Sequence, residues 1–489
     1  MYLSKSKYCL GVQCNKILWL DQYNKEARGE VDNQSVLDNG TEVGECAKDL
    51  FGFHIDINFS ENLKEMIEDT KKILKLDKIV ITEASFVYEN NFCSVDILKK
   101  DGNNVEIYEV KSSTEVHDIY IDDISYQTYI LLNLGYKVNK CSIVHLNSNY
   151  VRGKELNLNE LFTICDVTDK VMTKQEEVKN KIKEINEYVE DIKEKDGMLS
   201  INCFKPYMCP YFNYCTGHLP KQNIFKVKRM TNKEKLKYYD NGIITYEDLL
   251  REKINDKIRI QIDYALNNKQ DLINKDKIKE FLKEIKYPLY FLDFETFQEA
   301  IPKYEGTRPY EKIPFQYSLH YYLEKNGELL HKEFLAEANV DPRRNLAEKL
   351  VEDIPMNVCT LAYNMSFEKS VIKHLAFLYP DLKKHLLNIH DNIFDLMIIF
   401  RNMDYYNKDM QGSFSIKYVL PALFPNDEEL NYHHLEDVHN GSEAMDSYVN
   451  MGKLSKEEQE KLRVNLLKYC ELDTYAMVKI YDKLKDICK

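Results

Sequence analysis

Residues 95–113 read VDILKKDGNNVEIYEVKSS, and no other stretch constrains the chain as much. Val95-Asp96-Ile97-Leu98 predicts a short strand, Asp101-Gly102 a tight polar turn, and Val105 to Val110 the returning strand. Asp96 falls inside the apolar strand, where a carboxylate is costly unless something binds it. Glu109 and Lys111 are two apart on the return strand, so both side chains leave one face. Two carboxylates and an ammonium converging at the end of a hairpin make a divalent-metal site with a cation beside the reacting group. The tripeptide alone says little, because an E-x-K triplet should arise roughly five times by chance in a chain so rich in charge. Glu177-Val178-Lys179 repeats it inside a charged helical run, with no strand-borne Asp upstream. The strand-turn-strand context distinguishes the first copy from that control and from a solvated edge hairpin.

The chain has 489 residues, room for two or three domains with cores of their own. A net charge of -13 argues against a protein coated in basic patches. It leaves nucleic-acid binding open, since clustered carboxylates can serve metal ions while local grooves stay positive. The sequence contains no transmembrane-length apolar run and no signal-peptide core near its start, so a cytoplasmic location and no membrane partner are expected. Twelve cysteines in such a chain are not read as a disulfide framework. Eight are scattered and read as small buried hydrophobes; Cys14, Cys203, Cys209 and Cys215 are treated separately.

Around the hairpin, Asn39 to Glu45 opens a helix running through Ala47, Leu50 and Phe51, and residues 61–76 predict an amphipathic helix. A strand over 80–87 enters the hairpin. A helix around Tyr126 to Leu134, a strand over 137–146 and a charged helix over 173–196 follow. This is an α/β core assembled around one site. Next comes Cys203-Phe-Lys-Pro-Tyr-Met-Cys209-Pro-Tyr-Phe-Asn-Tyr-Cys215, whose prolines force turns and favour a ligand loop over a helix face. No C-x-x-C is present, and Cys14 is the best-placed fourth thiolate.

With that context, Asp96, Glu109 and Lys111 closely resemble the PD-(D/E)XK nucleases. The cysteine set resembles the iron–sulfur nucleases of the RecB-like group, as in the CRISPR-associated RecB-like exonucleases and AddB. The resemblance covers about residues 1–220. It implies a 4Fe–4S cluster on Cys14, Cys203, Cys209 and Cys215; zinc, with His218 as a further ligand, and no metal are the other readings. It also implies Mg²⁺ or Mn²⁺ on Asp96, Glu109 and the Val110 carbonyl, with Lys111 stabilising the nucleophile or the developing charge. Gln127 matches the family's helix-borne glutamine, which positions water or the substrate phosphate. The chain departs from the family twice: position 131 of the Q-x-x-x-Y motif is Leu, and Gly44 stands where a metal-binding His is common, with Glu42 or Glu45 as substitutes.

Residues 221–285 start basic and continue as a lysine-rich helical pattern, which predicts a helical connector or a strip that tracks phosphates. Beyond it, Tyr290 to Thr296 predicts an apolar strand delivering Asp293 and Glu295 on one face. The stretch 359–368 ends a strand and starts a helix that carries Glu368. Tyr469 and Asp473 lie four apart on one helical face. In this order the segments resemble the three motifs of the DnaQ-like, DEDD exonucleases on the RNase H-like fold, over about residues 286–489. The resemblance implies metal ligation by Asp293, Glu295, Glu368 (where the family has Asp) and Asp473, with Tyr469 orienting the attacking water and Asp395 as an extra carboxylate. The segment 413–417 resembles the one preceding the third motif.

The expected molecule is a fusion of a RecB-like iron–sulfur nuclease (1–220), a helical connector (221–285) and an RNase H-like 3′–5′ exonuclease (286–489). DNA, single-stranded or end-bearing, is the expected substrate, in repair, mobile-element or phage-related processing. RNA processing, and nucleic-acid binding or assembly with one or both sites inactive, are the alternatives.

Overall fold

The computed structural model describes residues 2–29, 34–430 and 438–489, without the side chains of 34–38. The chain is mixed α/β and divides into two compact units. Unit 1 comprises Met1–Leu219 with Glu299–Glu311, and unit 2 comprises Pro220–Gln298 with Lys312–Lys489. Among the described residues, no helix is long and apolar enough to cross a membrane.

Unit 1 is built on strands β1 (Leu3–Ser4), β2 (Ile55–Asp56), β3 (Lys78–Tyr88), β4 (Asn91–Asp101), β5 (Asn104–Lys111), β6 (Lys137–Leu146) and β7 (Phe162–Asp166). They form one sheet in the order β2-β3-β4-β5-β6-β7, with β1 against β4. The helices used below are α1 (Lys5–Gln13), α2 (Asn15–Tyr23), α3 (Gln34–Lys48), α4 (Leu63–Ile73), α5 (Asp118–Asn133) and α6 (Gln175–Glu190). The β4–β5 hairpin closes through Gly102 at φ +60°, a left-handed position that glycine adopts without strain. Central strands are apolar on both faces. Val95, Leu98 and Ile107 pack in a core with α5 and α6, while Ile97, Tyr108 and Val144 pack in a second core that includes Val43 of α3.

The register of this sheet creates its opening. β4 and β5 pair from Asp101/Asn104 to Ile97/Tyr108 and then part, while β5 continues along β6 as far as Lys111. Asp96 and Glu109 are the first residues beyond the last pair. Further along the same edge of β4, β1 takes the place that β5 has left, pairing Leu3 with Asn91 and Ser4 with Phe92. The Tyr126 hydroxyl on α5 donates to the Leu3 carbonyl and fixes that segment.

Unit 2 contains β8 (Leu272–Ile273), β9 (Leu289–Phe297), β10 (Ile313–Tyr322), β11 (Leu329–Leu335), β12 (Cys359–Ala362), β13 (Ile393–Asp395) and β14 (Tyr405–Tyr406). The main sheet runs β11-β10-β9-β12-β13, with antiparallel pairs on one side of β9 and parallel pairs on the other. Helices cover both faces. Tyr290, Leu292 and Phe294 pack with Leu346, Ile372 and Leu375, whereas Leu289 and Phe291 pack with Ala476, Ile480 and Leu484 of the C-terminal helix. The period of two therefore sends Asp293 and Glu295 out on the face of that helix. The helices cited below are α7 (Ser366–Leu378), α8 (Gly441–Met451) and α9 (Lys456–Cys488). α9 starts at Ser455, whose hydroxyl accepts the Glu458 N–H while the Glu458 carboxylate accepts the Ser455 N–H at 2.9 Å.

Residues 221–285 are helical, but they pack within unit 2 and do not stand apart as a connector. β8 pairs with β14, and the Arg229 guanidinium donates to the carbonyls of Phe400, Arg401 and Gly412 at 3.1, 2.6 and 3.0 Å. Loop 299–311, which falls within the expected 286–489 domain, belongs to unit 1.

Candidate functional sites

In unit 1 the sheet opening gathers the four residues singled out on strand and helix. The Asp96 carboxylate accepts the Val110 N–H at 2.8 Å, replacing the ladder bond lost where β4 and β5 separate. Lys111 Nζ donates to Glu109 Oε1 and to Asp123 Oδ2, both at 2.7 Å. Gln127 Nε2 donates to Glu109 Oε2 at 2.7 Å and to Asp123 Oδ1 at 2.9 Å. Lys5, the first residue of α1, places its ammonium between Asp96 Oδ1 (2.8 Å) and Glu109 Oε1 (3.1 Å). Burial would lower the Lys5 pKa, but Asp96, Glu109 and Asp123 hold it well above the ordinary value. Lys111 is raised in the same way, with Asp123 and Glu109 outweighing burial.

Three members of this group escaped the sequence reading. Lys5 belongs to none of the motifs read from the sequence. Asp123 is one helical turn before Gln127, a spacing visible in the sequence; burial, then Glu109, raises its carboxyl pKa. Glu83 sits opposite Asp96 at the one interruption of the β3–β4 ladder and has φ +56°. Burial and the neighbouring Asp96 push its carboxyl up to about 7. Glu83, Asp96 and Val110 line a cleft of 390 Å³ with Gly44, Glu45 and Lys48. Of the residues offered in place of a helix-borne histidine, Glu45 lines the cleft but is paired with Lys48 at 2.7 Å.

In unit 2 one carboxylate oxygen from each of Asp293, Glu295 and Asp473 lies within 4.8 Å of the other two. The first two come from β9 and the third from α9, which a polar seam fixes against β10. Gln316 Nε2 donates to the Leu466 carbonyl at 2.7 Å, and the Ser318 and Thr474 hydroxyls meet at 2.7 Å. Burial raises the Asp293 pKa far above the carboxylate range, followed by Asp473, Glu295 and Glu368. Burial and Asp473 do the same to Glu295, partly offset by Lys417. Glu368, at the start of α7, is close enough to act on both electrostatically but lies outside the three-residue group; burial lifts its own pKa to about 8. Tyr469 is buried, and the Asp473 charge adds to burial in holding its phenol protonated. Asp395, read as an extra carboxylate, accepts the Asn364 and Met397 N–H groups at 3.1 Å and faces Arg401 at 3.5 Å, so it ties the β12–α7 turn to the end of β13.

Gln13 fastens the N-terminal helices to the cysteine loop, its Nε2 donating to the Asn202 and Tyr207 carbonyls at 2.7 and 2.8 Å. Cys14, Cys203 and Cys209 share an apolar cluster with Ile17 and Tyr211. After burial, the neighbouring thiols are among the influences that raise the Cys209 pKa to about 12, and these are Cys203, Cys14 and Cys215. All four are free thiols. Among the described residues, no three of them come within 4.8 Å of one another. His218 is exposed and outside any such group.

Residues 290–415 match a family described as a domain of unknown function (DUF2779), a stretch that carries Asp293, Glu295 and Glu368 and stops before Tyr469. An uncharacterized protein of Mycoplasma genitalium is 26% identical over 461 residues, covering 81% of this chain and 68% of its own, so the likeness spans more than either unit alone.

Proposed function

We propose that the chain is a divalent-cation-dependent nuclease with two cutting sites, a RecB-like PD-(D/E)XK site in unit 1 and a DnaQ-like 3′–5′ exonuclease site in unit 2. Single-stranded or end-bearing DNA is its substrate. The observation that carries this reading is the convergence of Asp293, Glu295 and Asp473 from distant segments, partly buried and mutually repelling. Buried like charges at this spacing are strongly unfavourable unless a cation joins them. The strand order of the unit 2 sheet, three antiparallel strands followed by two parallel ones, supports the RNase H-like reading.

The donor set is all oxygen, which suits Mg²⁺ or Mn²⁺, and Asp293, Glu295 and Asp473, with Glu368 adjacent, would hold the ions. Bound there, such ions supply a nucleophile at neutral pH and neutralise the leaving oxygen. The chain itself supplies orientation. Tyr469, one turn before Asp473, keeps its phenolic proton and can hold the attacking water. In unit 1 Asp96 and Glu109 are the carboxylates, Lys111 carries the positive charge that stabilises the developing anion, and Asp123 with Gln127 fixes its position.

The four cysteines are the residues that would hold a 4Fe–4S cluster. Thiolates on a single zinc stand about 3.8 Å apart, given Zn–S bonds near 2.3 Å. Among the described residues no three of these thiols close to within 4.8 Å, so no single-zinc geometry is formed there. The cluster's part would be structural, joining the α1–α2 turn to the loop after α6.

Matched single-stranded DNA and RNA oligonucleotides, incubated with the protein and Mn²⁺ or with chelator, test the reading. The expected result is metal-dependent loss of DNA. Preferential loss of RNA would move the function to RNA processing, and intact DNA and RNA in every lane would refute a nuclease.

A further inference from the structure

Beside the acidic group of unit 2, on the same face of the sheet, stands a cluster of different chemistry. His320 on β10 and His331 on β11 are directly opposite in the ladder, with ring centroids 4.5 Å apart. Each ring has one nitrogen engaged by a hydroxyl. His320 Nδ1 is 2.8 Å from Thr474 Oγ1, and His331 Nε2 is 2.9 Å from Ser318 Oγ. The two hydroxyls bond to each other, so the set is braced between β10, β11 and α9. His331 Nδ1 faces Glu471 Oε1 at 4.0 Å, beyond hydrogen-bond range. One ligand atom from each of His320, His331 and Glu471 lies within 4.8 Å of the others. Glu333, opposite Ser318 in the ladder, is an electrostatic neighbour of both His331 and Glu471 and lies at the margin of the set.

We infer that His320, His331 and Glu471 form a binding site for a transition-metal ion, with Zn²⁺ the best match, separate from the Mg²⁺ or Mn²⁺ site of the acidic group. Two imidazoles and one carboxylate are a zinc-type donor set; magnesium prefers oxygen ligands. A nitrogen–oxygen gap of 4.0 Å is too long for a hydrogen bond; tetrahedral ligands about 2.0–2.1 Å from a shared ion stand about 3.4 Å apart, so the pair needs to close by roughly half an ångström to share one. A hydrogen-bond acceptor on the far nitrogen fixes the tautomer and aim of a ligating histidine, and here the Thr474 and Ser318 hydroxyls stand in that place. Because Glu471 is two residues from Asp473, an ion here would pin α9 to β10 and β11 beside Asp473. Zinc at this point is a positioning element and takes no part in cutting.

The test uses the full chain, stripped with chelator and kept in excess Mg²⁺ so that the acidic group is occupied. Co²⁺ and Zn²⁺ are titrated into wild type, His331→Gln and the partly exposed Glu471→Gln. Visible d–d bands that grow in without near-ultraviolet thiolate charge transfer report a nitrogen–oxygen site, whereas bands accompanied by it report the cysteines. The inference expects d–d bands in the wild type, their loss in both variants with circular dichroism and thiolate absorption unchanged, and at least about a tenfold weaker Zn²⁺ affinity. Bands that persist in a folded Glu471→Gln, or a wild type without d–d bands, would overturn it. Neither result depends on nuclease activity.

Discussion

Lys5 Nζ lies 2.8 Å from Asp96 Oδ1 and reaches Glu109 from the same position, so the first charged residue of α1 already balances the paired carboxylates of unit 1. In the acidic group of unit 2 like charges dominate, with Lys417 opposing them at Glu295. The two centres therefore present opposite problems to an incoming divalent ion. One must release an ammonium, and the other must lose protons.

Replacing Lys5 by Met should destabilise the metal-free protein by about 1–3 kcal/mol, because Asp96 loses its ammonium partner while Glu109 keeps Lys111 and Gln127. Mn²⁺ should recover part of that loss and bind unit 1 more tightly than in the wild type. Thermal melts with and without Mn²⁺ measure both effects. A variant melting like the wild type and gaining nothing from Mn²⁺ would remove Lys5 from this role.

Asp123→Asn should leave the fold intact and lower unit 1 cutting by roughly ten- to a hundredfold, the scale for loss of a group that orients a metal-site partner. The readout is cleavage in an Asp293→Asn background, which isolates unit 1. Unchanged rates would show that Lys111 is positioned without Asp123.

For unit 2 the sign of the pH effect follows from carboxylates whose folded pKa values are raised. Such groups bind protons more tightly when folded, so the metal-free fold is favoured below their unfolded pKa. That contribution is lost as pH rises toward the folded value, about 8 for Glu368. Mn²⁺ should accordingly raise the melting temperature more at pH 8.5 than at pH 6, as differential scanning at the two pH values would show. An increment that is larger at pH 6 would contradict the assignment.

Cys14→Ser should abolish visible iron–sulfur absorption of anaerobically purified protein as completely as Cys209→Ser does, although Cys14 is remote in sequence from the loop. Retention of the chromophore in Cys14→Ser would exclude it as the fourth ligand.

How much of this was legible in the sequence depended on whether a signal is local. The Val95–Val110 hairpin and the β9 alternation are local patterns, and they place Asp96, Glu109, Asp293 and Glu295 on the observed faces. Asp123 was also within reach, because it shares a helical face with Gln127. Lys5 was not, since its position depends on β1 occupying the edge that β5 leaves, a pairing between segments far apart in sequence. Glu83 owes its orientation to a left-handed backbone that no residue type there announces. The lysine-rich run 221–285 looked like a connector because its anchors, such as Arg229 on the carbonyls of Phe400 and Arg401, are invisible to composition.

The account rests on two separate cutting centres, and end-labelled single-stranded DNA with Mn²⁺ tests it most directly in Lys111→Ala, Asp293→Asn and the double variant. Asp293→Asn should suppress stepwise removal from the 3′ end by roughly a hundredfold to a thousandfold, Lys111→Ala should leave that ladder unchanged, and the double variant should be inert. Stepwise 3′ degradation surviving in Asp293→Asn, or undiminished cutting by the double variant, would contradict it.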